Sequence, residues 1–222
     1  MPLFLLLFLG FGLNSVVSTG SLGQEYLLFL APGMVAMSVL FTSIFAGTQI
    51  LWDKQFGFLK ETLVAPVSRL EIMLGQTAGG ATTAVLQGII LMFFAVIFGM
   101  QVKSIPGFWL AFLFMVLIGI AFTAFGIAIA SRMEDMTGFQ LIMNFVIFPI
   151  FGLSGALFPI SSLPAWMSAI TMLDPLTYGV EGIRYGLTGA SQINPVLCLV
   201  VITGFAAVMA AIGAYLFRKV SV

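Results

Sequence analysis

Between Trp52 and Glu71 the chain reads WDKQFGFLKETLVAPVSRLE. Phe56, Leu59 and Leu63 recur at helical spacing, while Asp53, Lys54, Lys60 and Glu61 supply polar positions around Gly57. Such a pattern suits a short amphipathic helix at a membrane surface, ended by Pro66, and the chemistry open to it is docking rather than bond making. Periodicity alone equally allows a solvated turn that only connects two spans. Ser68 and Glu71 then stand at S-x-x-E spacing before an apolar run, an arrangement in which two side chains satisfy the first open amides of a helix.

Two weaker polar groups flank that segment. Ser38, Thr42 and Gln49 fall near one face of the preceding apolar run, and Gly75, Gln76, Thr77, Gly79 and Thr83 open the following one. Gly75 and Gly79 form G-x-x-x-G, which lets helix backbones approach, and amides and hydroxyls hydrogen-bond across helices in lipid. Helix packing is the first reading of both groups, and a border to a substrate path is the second. In a later run Pro149 removes a backbone hydrogen bond and predicts a kink, with Gln140 and Asn144 one turn apart beside it. Asn144 joins the candidates for the path.

Beyond that run, Pro159, Pro164 and Pro175 interrupt an apolar stretch whose one charge between Glu134-Asp135 and Glu181 is Asp174. It is too broken for one straight helix and too apolar for an aqueous loop. A short re-entrant or interfacial hairpin meets both constraints if protein covers its backbone groups. Trp166 and Tyr178 suit the headgroup level. Glu181 and Arg184 have salt-bridge spacing if the stretch is helical, and structural pinning is preferred over ligand binding for that pair.

Other chemistry finds few residues to work with. There is no histidine, no G-x-x-x-x-G-K-[ST] loop for nucleotide phosphates and no G-x-S-x-G nucleophile turn. No catalytic, metal or cofactor residues are expected in this chain. Zero net charge gives no argument for nucleic acid as a partner. No Asp, Glu, Lys or Arg falls within an expected span, so the usual groups for proton relay or ion coupling are missing and energy must come from elsewhere, unless transport is passive. Cys198 lies in an apolar run and is read as packing.

The elements that position these groups follow from composition. Only 7% of 222 residues are charged, against roughly 25% in a soluble domain. With 61% hydrophobic residues and a mean hydropathy of +1.18, membrane lipid is the fitting solvent. Five runs reach the length of about 20 residues that a spanning helix needs: Leu27 to Leu51, Ile72 to Met100, Pro106 to Ala130, Gly138 to Phe158, and Val196 to Phe217. A sixth, Pro2 to Leu13, is too short and is read as a first span whose remainder lies upstream of Met1. If that span runs outward, Lys54, Lys60, Arg69, Arg132, Arg218 and Lys219 are cytoplasmic and Lys103 and Arg184 external, which agrees with the positive-inside rule. The expected fold is therefore an all-α membrane protein, one domain over residues 1–222. It has six transmembrane helices with the first incomplete, a cytoplasmic coupling helix, and an outer re-entrant hairpin between spans five and six.

In their order and spacing, several fragments together resemble the ABC type-2 permeases, membrane subunits of ATP-driven exporters for drugs, lipids and polysaccharides. They are Tyr26 to Gly33, Trp52 to Leu63 with Ala65 to Arg69 and Gly75, and three outer pieces: Ser154 to Ile160, Leu163 to Trp166 and Pro175 to Arg184. The resemblance implies that Trp52 to Arg69 contacts a separate cytoplasmic ATP-binding-cassette ATPase, which holds ATP and magnesium. It further implies that two permease chains, identical or different, pair with two ATPases in the plasma membrane of a prokaryote, with the C-terminus cytoplasmic. Phe56, Leu59 and Leu63 would form the docking face, with Lys54, Lys60 and Glu61 at its rim. The family often has Asn where Asp174 stands, and it usually carries an amphipathic helix ahead of a complete first span. A passive channel or a membrane assembly factor without nucleotide is the alternative.

Overall fold

A computed structural model describes residues 2–17, 22–58, 66–100 and 102–218. Lipid leaves backbone amides and carbonyls no outside partner, so helices are the economical answer, and among the described residues there is no strand. The helices are α1 (Pro2–Val17), α2 (Leu22–Ala46), α3 (Thr48–Gln55), α4 (Arg69–Ile97), α5 (Ile105–Ala130), α6 (Met136–Leu153), α7 (Ala165–Leu173), α8 (Pro175–Thr188) and α9 (Pro195–Arg218). A 3₁₀ turn at Ile160–Ser162 precedes α7. Among the described residues, five segments are long and apolar enough to cross a membrane, with α2 and α3 counting as one from Leu28 to Gln55. The shorter α1 packs along α2.

Polar caps move the observed ends outside the apolar runs. Ser68 accepts from the Glu71 amide while the Glu71 carboxylate accepts from the Ser68 amide at 2.7 Å, so α4 begins at Arg69 rather than Ile72. Asp135 accepts from the Gly138 amide at 2.6 Å and starts α6 at Met136. That helix stops at Leu153, short of the expected Phe158, and the chain turns at Gly155, where φ is +70°.

At the centre is α5, surrounded by α2, α4, α8 and α9. Close backbone approach makes this possible. A Cβ on Gly47 would lie 2.5 Å from the carbonyl carbon of Gly126, so α5 meets the α2–α3 junction with no room for a side chain. Within α4 the contacts fall on Gly80 and Gly88, not on the G-x-x-x-G pair. Added Cβ atoms would lie 2.6 Å from the Thr123 methyl and 2.7 Å from a Val39 methyl, whereas Gly75 and Gly79 face open space. The expectation that Gly75 and Gly79 pack helices together is therefore corrected within this chain: the helix is rotated so that the interior face carries Met73, Thr77, Ala81 and Ala84. By contrast α6 is peripheral, burying Phe139, Met143, Ile147 and Phe151 and exposing Phe145 to 82%.

Candidate functional site

At one end of the bundle, α3 carries the helix of span two past the Gly47 junction to Gln55. The amphipathic helix expected from Trp52 onward is divided here, because Gly57 adopts a left-handed φ of +81° and breaks the ladder after Phe56. Trp52 and Phe56, one turn apart, stack with ring centroids 5.4 Å apart. Both rings and Phe58 are exposed. Leu59, Lys60, Glu61 and Leu63 lie outside the described residues, while Pro66 follows in an exposed bend before the Ser68 cap.

Lys54, expected at the rim of a docking face, turns its ammonium inward. Its Nζ donates to the carbonyls of Ser131 at 3.0 Å, Met133 at 3.2 Å and Ala130 at 3.4 Å. These are the last carbonyls of α5 and the start of its link to α6, groups that a helix leaves without internal partners. A cation there also complements the negative end of the helix dipole, an effect of about 0.3–1 kcal/mol when exposed and up to about 2 kcal/mol when partly buried. On the far side of the segment, Arg69 Nη1 donates to the Arg218 carbonyl at 2.7 Å, at the end of α9.

The polar residues flagged around this segment are partly brought together. Gln49 donates to Asp53 at 2.9 Å, and Gln76 reaches the other Asp53 oxygen at 3.5 Å. Gln49, Gln76 and Thr83 line a cleft of about 360 Å³ between α3 and α4, with Phe45 and Gly79 in its wall. Further along the same pair of helices, Thr42 donates to Gln87 at 2.6 Å. Ser38 is buried, and Asn144 stands apart on the exposed side of α6. Neutral hydrogen-bonding groups beside apolar wall suit an amphipathic molecule.

At the opposite end, the broken stretch folds as a helical hairpin. Pro159 and Pro164 precede the 3₁₀ turn and α7, and Pro175 opens α8, positions where a missing amide hydrogen costs nothing. Trp166 is exposed on α7, and the Tyr178 hydroxyl donates to the Met172 carbonyl at 2.8 Å, tying the two helices. Helix α8 runs antiparallel to α5. Gly186 meets Gly107, Gly182 meets Phe114, and Gly179 meets Ile118, about 16 Å along α5 at about 1.5 Å per residue.

That path carries charge into the bundle. Glu181 and Arg184 are buried and ion-paired with each other, as their spacing anticipated. Arg184 also donates to the Gly155 carbonyl at 2.9 Å and lies over the Phe29 ring, while the second Glu181 oxygen accepts from the Gln192 amide. The pair therefore joins α8, α2 and the turns at Gly155 and Gln192. All of those contacts are internal, in keeping with the structural pinning preferred for the pair from its spacing.

Sequence reasoning missed the partners more than the principals. Phe29 and Gly155 fall in fragments that carry the family resemblance but have no contact assigned by it, Gln192 lies outside those fragments, and the acceptors of Lys54 and Arg69 are backbone carbonyls that any residue possesses. The signal that could have found Lys54's role was the end of an apolar run at Ala130, where unpaired carbonyls call for a cation.

Comparison with known proteins agrees with this architecture. Residues 1–188 match the family described as ABC-2 type transporter. A protein named putative transport permease ycf38 from Cyanophora paradoxa is 30% identical over 166 residues, covering 74% of this chain and 57% of that protein. One named inner membrane transport permease YadH from Escherichia coli (strain K12) is 28% identical, covering 77% of this chain and 66% of its own length. Nodulation protein J from Rhizobium leguminosarum bv. viciae is 28% identical, over 92% of this chain and 80% of that protein. The chain thus spans just under two thirds or less of the first two of these relatives.

Proposed function

The chain belongs to the ABC-2 type transporter family, and on that premise we propose that it is the permease of an ATP-driven exporter, coupled to a separate ATP-binding-cassette ATPase through residues 52–69. The observation that carries this reading is the protruding aromatic group at the end of span two. Trp52, Phe56 and Phe58 are exposed at an end that also gathers Lys54, Arg69, Arg132 and Arg218. Exposed rings beside basic residues are poorly placed in water and well placed against a partner surface.

The basic end is the cytoplasmic one in this reading, so the chain is a multi-pass protein of a prokaryotic cytoplasmic membrane with its C-terminus inside. ATP and magnesium belong to the ATPase. A second permease chain covers apolar surface such as that of α6, and the cleft between α3 and α4 supports an amphipathic or lipid-like cargo, the drug and lipid classes among them. ATP binding closes the ATPase pair, and the 52–69 segment biases the spans between two access states.

The test is Phe56→Asp in the chain purified with its ATPase. Stimulated ATP hydrolysis and co-purification should both be lost while membrane insertion is kept. Unchanged stimulation, or a flux through the purified chain that needs no nucleotide, would count for a passive channel instead.

A further inference from the structure

We propose that Lys54 and Arg69 are positioning residues that transmit motion of the 52–69 segment into spans four, five and six, instead of contacting the ATPase themselves. The proposal rests on the coupling reading above. Both leave the segment in the same manner, as a cation reaching the carbonyl end of a different helix: Lys54 to Ala130, Ser131 and Met133, and Arg69 to Arg218.

The placement of these acceptors matters more than their number. Ala130 and Ser131 close α5, the central helix against which α2, α4, α8 and α9 all pack. Met133 belongs to the short link into α6, the span that packs least on the other described helices. One ammonium therefore grips both the end of the hub helix and the link into a peripheral span. Arg218 closes α9, so the two ends of the docking segment are tied to two helices that pack on each other.

The chemistry of the grip suits a swivel. An ammonium is a point charge with three rotatable donors, so it can pass between neighbouring carbonyls without losing its pairing. Phe56, on the outward side of the same turn, moves with any bound partner, and Lys54 two residues earlier carries that displacement inward. Packed apolar contacts would resist such a shift, because they interlock in discrete arrangements.

The experiment places a single cysteine at Ser162, exposed at the opposite end of the bundle, in a Cys198→Ala background. The chain is reconstituted with its ATPase, and labelling of position 162 by an impermeant maleimide is timed with and without ATP and vanadate. In the parent the rate changes on nucleotide trapping. In Lys54→Met that change, scaled to ATP hydrolysed, falls by about five-fold or more, and Lys54→Arg restores most of it, since a guanidinium still reaches carbonyls. Arg69→Met gives a smaller loss in the same direction.

A full-sized response in Lys54→Met overturns the inference and leaves the coupling reading intact. A parent chain that neither binds the ATPase nor responds to nucleotide overturns both. Failure of Lys54→Met and Lys54→Arg alike to give a folded chain would mark Lys54 as a folding cap only, and also overturns it.

Discussion

The guanidinium of Arg184 stands over the ring of Phe29, its central carbon 4.0 Å from the ring centroid, so a charge on α8 is held against α2. Glu181 on the preceding turn balances that charge, and both side chains are buried. Removing one partner of a buried pair leaves the other charge uncompensated, which costs about 3–5 kcal/mol. A cation over a desolvated ring is worth about 2 kcal/mol. Glu181→Gln should therefore lower the unfolding temperature in detergent much more than Phe29→Leu. The reverse order would mean that packing, not charge, holds the hairpin.

Asp174 caps α8 through one oxygen, accepting from the Leu176 amide at 2.9 Å, while its other oxygen is buried without a partner. Asn keeps an oxygen for the cap and removes the burdened charge, so Asp174→Asn should match or exceed the parent in stability. Asp174→Ala loses the cap and should cost about 1 kcal/mol. Thermal unfolding of the three proteins side by side decides the order, and Asn falling below Ala would refute it.

Two glycines with the same residue type should behave in opposite ways. A Cβ at position 186 would lie 2.6 Å from the Gly107 carbonyl oxygen and 2.7 Å from the Ala111 amide, backbone atoms that cannot step aside, whereas position 79 has nothing within 4 Å. Gly186→Ala should then destabilise by about 1–3 kcal/mol through overpacking. Gly79→Ala should be neutral or should stabilise by up to about 1 kcal/mol through helix propensity. Equal effects at both sites would argue against the close approach of α8 and α5.

The two ends of the bundle should also differ in access. With Cys198 replaced by Ala, single cysteines at Val67 and Ser162, both exposed, are offered an impermeant maleimide in intact cells. Only Ser162→Cys should react, since the positive-inside rule places the Arg69 end in the cytoplasm. Labelling at position 67 alone would invert the topology and remove the docking segment from any cytoplasmic ATPase.

Much of this molecule was determined by residue types read along the chain. Long uncharged runs set the spans, because lipid penalises charge and open backbone groups wherever they occur. Ser68 with Glu71 announced the start of α4, and the prolines at 159, 164 and 175 announced the hairpin. Tertiary structure alone decided which face of each helix turns inward. Gly80 and Gly88 pack where Gly75 and Gly79 do not, Lys54 points into the bundle, and Glu181 with Arg184 sits beside Phe29 from a distant span. Those outcomes depend on how closely backbones pass at Gly47 with Gly126 and at Gly107 with Gly186, and on carbonyl acceptors that every residue offers. Local composition specifies a helix and its solvent; only the packing of one helix on another selects its partner.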